Sequence, residues 1–163
     1  MANWMLSLHL LALLGVANGI PILAKKLLQD RFSIPLDGGF TLPDGEALFG
    51  ASKTIRGIIL SIVCTTGAAV LLNLDWSIGA TMAGMSMLGD LFSSFIKRRI
   101  HLRPHDQALG LDQIPEALLP LLAVRASFSL TSGDIAVLVT AFIVLELVLS
   151  RLLFRLKIRD RPY

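Results

Sequence analysis

Two carboxylates and two basic stretches carry the chemistry available to this otherwise oily chain. Asp90 lies near the end of an apolar segment and is followed by Ser93, Ser94 and Lys97. On a helix these residues share one stripe about two turns long. The basic run Lys97-Arg98-Arg99 comes next, and a second carboxylate, Asp112, stands in Gly110-Leu111-Asp112-Gln113. Earlier in the chain, Ser52-Lys53-Thr54, with Arg56 just after, offers hydroxyls and cations where a helix begins. Free N–H groups and the helix dipole favour anions at such a place. The stretch is not a P-loop, because no glycine directly precedes the lysine. An N-cap with a lysine reaching along the surface is the plainer alternative. For Asp90, the plainer alternative is a pair with Lys97 through the intervening hydroxyls that stabilises one end of a helical bundle. As a set, however, these residues suit Mg²⁺ and phosphate chemistry. Carboxylates bind hard divalent ions, the ion bridges phosphate oxygens, and Lys or Arg neutralises the remaining charge.

The elements that must position these groups are membrane helices. Of 163 residues, 54% are hydrophobic and only 17% charged, with a mean hydropathy of +0.70. A soluble domain is less apolar and carries nearer a quarter charged residues. A net charge of +3 and a pI near 9.4 would suit nucleic acid if taken alone. The basic residues instead sit between apolar segments, as in loops facing a membrane surface, so no nucleic-acid partner is expected. The single cysteine, Cys64, excludes an internal disulfide and a cysteine-built metal site.

Five apolar segments, about 4–24, 57–72, 77–96, 114–130 and 135–153, predict an all-α, polytopic membrane protein forming one domain over 1–163. The first segment is too long, and has no basic residue before it, to read as a signal peptide. The fourth is the weakest, holding Pro115, Glu116, Pro120 and Arg125, and a re-entrant segment is the alternative. With five spans, 14 of the 15 Lys and Arg fall on one side: five in loop 25–56, four at 97–103 and five in the tail. By the positive-inside rule the N terminus is then outside, the C terminus is cytoplasmic, and the charged loops 25–56 and 97–113 face the cytoplasm. A plasma-membrane location follows. Loop 25–56 is long and rich in turn formers such as Asp37-Gly38-Gly39 and Asp44-Gly45, yet Phe40, Leu42, Leu48 and Phe49 argue against simple disorder. Asn18 near the inner end of the first segment and Glu146 in the last are intramembrane polar groups with possible functional or pairing roles, Glu146 with Arg125 or Asn18. His101 and His105 are four apart, but Pro104 breaks the helix a metal pair would need. Gly79, Ala83, Gly84, Ser86 and Gly89 allow close helix packing within the chain or in a homo-oligomer. A polar site at the mouth of such a bundle suits phosphoryl or nucleotidyl transfer to a lipid phosphate.

Four ordered stretches resemble the CDP-archaeol synthase family, relatives of the CDP-diacylglycerol synthases. They are Pro35-Leu36-Asp37-Gly38-Gly39, the run Leu48 through Gly57 containing Gly50-Ala51-Ser52-Lys53-Thr54, Gly89-Asp90 through Lys97-Arg98-Arg99, and Gly110-Leu111-Asp112-Gln113. The resemblance implies a Mg²⁺-dependent cytidylyltransferase that joins CTP to a lipid phosphate and releases pyrophosphate. It implies that Asp90 and Asp112 bind metal and that Ser52, Lys53 and Thr54 hold phosphate. Lys97 and Arg98 would stabilise developing charge, with Arg56, Asp37 and Asn18 as further substrate-binding candidates. The diacylglycerol-type enzymes carry a longer motif ending in Asp-Arg-x-Asp; here Asp112 is followed by Gln113 and Ile114 with no second Asp, which favours the archaeol-type branch, with the lipid archaetidic-acid-like or phosphatidic-acid-like. A small transporter or assembly protein with a charged cytoplasmic vestibule is the alternative from another class. A CDP-alcohol phosphotransferase ranks low, because neither Asp37-Gly38 nor Asp44-Gly45 continues into Ala-Arg.

Overall fold

The computed structural model describes residues 4–102, 108 and 110–155. Arg103, Pro104, His105 and the basic tail residues Lys157, Arg159 and Arg161 lie outside them. Five helices follow in order: α1 (Trp4–Leu28), α2 (Ile55–Leu71), α3 (Trp76–Arg99), α4 (Gln113–Ala123) and α5 (Ser132–Arg155). No strand occurs among the described residues. Each helix packs on the next, and α1 also touches α3 and α5, which closes the bundle. The core gathers Leu10, Leu13 and Leu14 of α1, Ala69, Met82, Leu121, and Leu138 and Phe142 of α5.

Helices α1 and α5 are long and apolar enough to cross a bilayer, and α2 is apolar over a shorter 17 residues. Their outer faces expose Ile59, Val63, Val70, Val137, Val144 and Val148, each more than half accessible. So much contiguous apolar surface is costly in water and suits lipid. Two glycines set the helix spacing. A methyl group on Gly79 would lie 2.7 Å from Ala69 Cβ and from Thr65 O, so α3 meets α2 almost backbone to backbone. One on Gly89 would lie 2.4 Å from Pro115 O, which brings α4 equally close to α3.

The fourth segment corrects the expectation of a continuous span over 114–130. Its helix has 11 residues, about 16 Å at 1.5 Å per residue against a bilayer core of roughly 30 Å. The chain then continues through turns to Leu130. Because Pro115 packs on Gly89, α4 begins ten residues, about 15 Å, short of the Arg99 end of α3. Non-helical backbone is tolerated at such depth where it is buried in protein or lines a polar cavity.

The first loop also departs from its expected bounds, since α1 continues to Leu28. The remainder is folded, as its apolar content implied. Isolated bridges join Pro35 to Thr54 and Thr41 to Ala47. Asp37 organises the loop: Oδ2 accepts from the amides of Phe49 (3.0 Å) and Gly50 (2.9 Å), and Oδ1 from that of Gly39 (3.1 Å). Burial pushes this carboxyl upward, but the three amides outweigh it and hold it below its ordinary value.

Candidate active site

The loop before α2 and the two carboxylates come together at one end of the bundle. Leu36 N donates to Lys53 O (2.7 Å) and Ile55 N to Ile34 O (3.1 Å), so a short antiparallel pairing fixes the backbone of Lys53. Its ammonium reaches Asp90 on α3, 2.6 Å from Oδ1 and 2.5 Å from Oδ2. Burial disfavours the Lys53 charge, but Asp90 and, to a lesser extent, Glu116 and Asp112 hold the ammonium above its ordinary value. A second pair stands beside the first, with Lys97 Nζ 2.7 Å from Asp112 Oδ1. The direction of this contact makes it an ion pair rather than a well-formed hydrogen bond. Asp112 occupies the N-cap position of α4 without capping it, and Oδ2 accepts from Ala108 N at 3.2 Å. Ser93 Oγ lies 2.8 Å from Gly89 O and 2.7 Å from Leu111 O, tying α3 to the residue before Asp112.

This arrangement corrects the simple stripe. Asp90 pairs with Lys53 from the distant loop, and Lys97 pairs with Asp112 from the next helix, rather than Asp90 with Lys97. The reason is reach: α4 and the loop both dock on this face of α3 and present closer charges. The side chains of all four residues are only 12–22% exposed, so the pairs are screened less than surface pairs.

Other candidates stand apart from the cluster. Thr54 is the N-cap of α2, its hydroxyl accepting from Gly57 N at 3.3 Å, and Ser52 is exposed. Arg56 donates to Gln29 O (2.6 Å) and to Arg31 O, which ties the loop to the end of α1. Asp37 serves the loop backbone. Asn18 donates to Leu14 O (3.0 Å) and accepts from Ser86 Oγ (3.0 Å), joining α1 to α3 one turn from Asp90. Arg98 is buried in the last turn of α3. Arg125 donates to Leu130 O at 3.1 Å, while Glu146 lies within electrostatic range of Glu116.

Two contributors escaped the sequence reading. Glu116, taken as a weakness in a spanning segment, is buried and lies within electrostatic range of Asp90 and Lys53. The available signal was its spacing of four from Asp112, which puts both on one helix face. Arg99, read as part of a topology signal, instead clamps the first loop. It pairs with Asp44, donates to Ala47 O (2.7 Å) and sits 5.3 Å from the Phe95 ring centroid.

Among the described residues, no group of three or more His, Cys, Asp or Glu is arranged to hold a metal ion. The donor set of Asp90 and Asp112 still fits Mg²⁺, which is commonly held through one or two carboxylates with substrate phosphates completing its shell.

Apolar-faced helices around a largely buried lysine–carboxylate cluster suit a helical membrane protein. A family model described as CarS-like, CDP-archaeol synthase, matches residues 72–163. The CDP-archaeol synthase of Thermofilum pendens is 28% identical over 155 residues, covering 91% of this chain and 76% of the relative. That of Sulfurisphaera tokodaii is 30% identical over 154 residues, covering 91% and 89%. A solved structure described as an intramembrane enzyme for archaeal membrane lipids biosynthesis superposes with a TM-score of 0.70 at 26% identity, covering 83% of this chain and 89% of that one. The chain belongs to the CDP-archaeol synthase family.

Proposed function

We propose that this protein is a CTP-dependent cytidylyltransferase that converts a lipid phosphate to a CDP-lipid and pyrophosphate. The observation that carries the reading is the meeting of Lys53 with Asp90 and Lys97 with Asp112 in a chain of this family. An ionised oxygen of the lipid phosphate attacks the α-phosphorus of CTP. A new P–O bond forms there, the bond from the α-phosphorus to the bridging oxygen breaks, and its electron pair leaves with pyrophosphate. No side-chain nucleophile is required. Asp90 and Asp112 would hold Mg²⁺, which when bound supplies Lewis-acid neutralisation of the phosphate oxygens. Lys53 and Lys97 exchange their carboxylate partners for phosphate oxygens and stabilise the charge that develops on the transferred group and on pyrophosphate. The polar site below the end of α3 receives the nucleotide, and the apolar outer faces receive the lipid chains.

The family's name points to archaeol, a lipid with ether-linked prenyl chains, as the lipid moiety. In orientation, the Lys and Arg of the first loop and of the Arg99 end of α3 mark the cytoplasmic side of the plasma membrane, where CTP is available. The N terminus is then outside. Helices α1, α2, α3 and α5 span the bilayer, while α4 crosses only from the depth of the site to the outer face. The transport alternative is not favoured by the family assignment.

The test is incubation of purified protein with CTP, Mg²⁺ and a panel of ether- and ester-linked lipid phosphates, with CDP-lipid and pyrophosphate as the readouts. Formation of both, lost in Asp90→Asn and in Asp112→Asn, is expected. Absence of product with every lipid phosphate would overturn the reading.

A further inference from the structure

We propose that the turn leaving α1, residues 25–34, is a binding site for the phosphate headgroup of an anionic membrane lipid. It shares no residue with the Lys53–Asp90 and Lys97–Asp112 pairs. Its use in the reaction, as the place where the lipid phosphate is gathered, rests on the cytidylyltransferase reading.

Length sets the level of this turn in the bilayer. At 1.5 Å per residue the 25 residues of α1 reach about 37 Å, against a bilayer core of roughly 30 Å. Its last turn, with Lys25 and Lys26, therefore stands among lipid headgroups. Leu27 is 80% exposed, Phe32 76% and Ile34 59%, beside exposed Lys25, Lys26 and Arg31. Large apolar side chains interleaved with cations suit the membrane–water boundary, where the apolar groups enter the acyl region and the cations meet phosphates. A cavity of about 380 Å³ opens here, lined by Leu27, Leu28, Gln29, Asp30 and Arg31. That is within the range of small-molecule sites, about 300–1,000 Å³. Lys25, Lys26 and Arg31 outnumber the one carboxylate, Asp30, so the patch favours an anion. Free phosphate would need only the cations; the exposed Leu27 and Phe32 point to a lipid.

The shape of the turn is enforced. Gln29 (φ 46°) and Phe32 (φ 57°) are both left-handed, a conformation that residues other than glycine rarely keep without support. Support comes from Arg56, whose guanidinium donates to Gln29 O (2.6 Å) and to Arg31 O. The far end of the turn is joined to the site: Ile55 N donates to Ile34 O (3.1 Å) and Leu36 N to Lys53 O (2.7 Å). A lipid phosphate held at Arg31 is thus bound to the same hydrogen-bonded piece of backbone that carries Lys53.

The probe is a spin-labelled lipid phosphate monoester, compared with spin-labelled phosphatidylcholine, in phosphatidylcholine bilayers containing the full-length protein. Electron paramagnetic resonance gives the fraction of each label held at the protein surface. Wild type should enrich the lipid phosphate about fivefold or more, the effect of one cation at an anionic surface. Lys25→Gln/Lys26→Gln/Arg31→Gln should bring the enrichment near parity. Arg151→Gln/Arg155→Gln, which removes two exposed cations at the end of α5, should leave it unchanged. Phe32→Asn should reduce enrichment while the melting temperature holds or rises, because Asn tolerates a left-handed φ better than Phe; a merely structural Phe32 would leave enrichment alone. Millimolar inorganic phosphate should not displace the lipid. Should the triple variant fail to fold, Arg31→Gln carries the test and should lose most of the enrichment. Enrichment that survives these changes, an equal loss in the α5 control, wild-type enrichment in Phe32→Asn, or displacement by inorganic phosphate would each overturn the proposal. In the transfer assay, the triple variant should raise KM for the lipid phosphate about fivefold or more, with KM for CTP unchanged; an unchanged lipid KM would overturn the gathering role. Wild-type protein that enriches the lipid phosphate but makes no CDP-lipid would instead sink the cytidylyltransferase reading and leave this site standing.

Discussion

Replacing Gly89 by alanine puts a methyl group 2.4 Å from Pro115 O, 2.5 Å from Pro115 C and 2.8 Å from Glu116 N. All three are backbone atoms, so no side-chain rotation relieves the clash. To restore an ordinary contact of 3.4 Å, α4 must retreat from α3 by about 1 Å. Overpacking of this kind costs about 1–3 kcal/mol of stability. The larger consequence is for the site, because Asp112 and Glu116 ride on α4 while Asp90 and Lys97 stay on α3. A 1 Å misplacement of reacting groups costs about 100-fold in rate. The assay is the initial rate of CDP-lipid formation per folded molecule, folded protein being quantified by size-exclusion chromatography in detergent. Two glycines of the same helix serve as controls. A methyl group on Gly84 meets nothing within 4 Å, and Gly84→Ala should match wild type. One on Gly79 strikes Ala69, Thr65 and Thr66 of α2, so Gly79→Ala should lower the melting temperature while leaving the rate per folded molecule within a few-fold. A wild-type rate in Gly89→Ala, or an equal loss in Gly79→Ala, would refute the argument that the α3–α4 contact sets the site.

Lys53→Met should abolish activity and lower the melting temperature, because it leaves the partly buried Asp90 without its ammonium. Adding Asp90→Asn should recover part of that melting temperature, since no lone charge is then buried; a double variant no more stable than Lys53→Met would count against the pairing. Arg99→Ala should release the first loop from α3, seen as faster hydrogen exchange over residues 40–47 and a raised KM for CTP; unchanged exchange would show that Arg99 is not its anchor. Asp37 is held below its ordinary value of 3.8, so its contribution is complete at neutral pH and lost as pH falls through its folded-state value. Asp37→Ala should expose the amides of Gly39, Phe49 and Gly50 to exchange at pH 7, as wild type does only in acid below about pH 4; equal exchange at pH 7 would refute that role.

The sequence by itself determined the helical membrane class, the number of helices and four bounds within a few residues, because apolar segments and their flanking charges follow from the bilayer alone. It also marked Asp90, Asp112, Lys53 and Lys97, since charges are rare in such a chain and each stands out. The tertiary structure decided which charge meets which. Pairing Lys53 with Asp90 brings together residues 37 positions apart, and only docking of the loop on α3 sets that distance. The shortness of α4 was equally hidden: the apolar residues of 114–130 satisfy a helix or a helix followed by turns, and the folded chain ends α4 at Ala123 and turns from there to Leu130. Glu116 shows the difference most clearly. In the linear chain it is a charge that weakens a span; folded against Gly89, it is the nearest carboxyl to Asp90 among the described residues of α4. Type and spacing along one helix can be read from sequence, but proximity between helices depends on backbone approach, which a missing Cβ permits without announcing its partner.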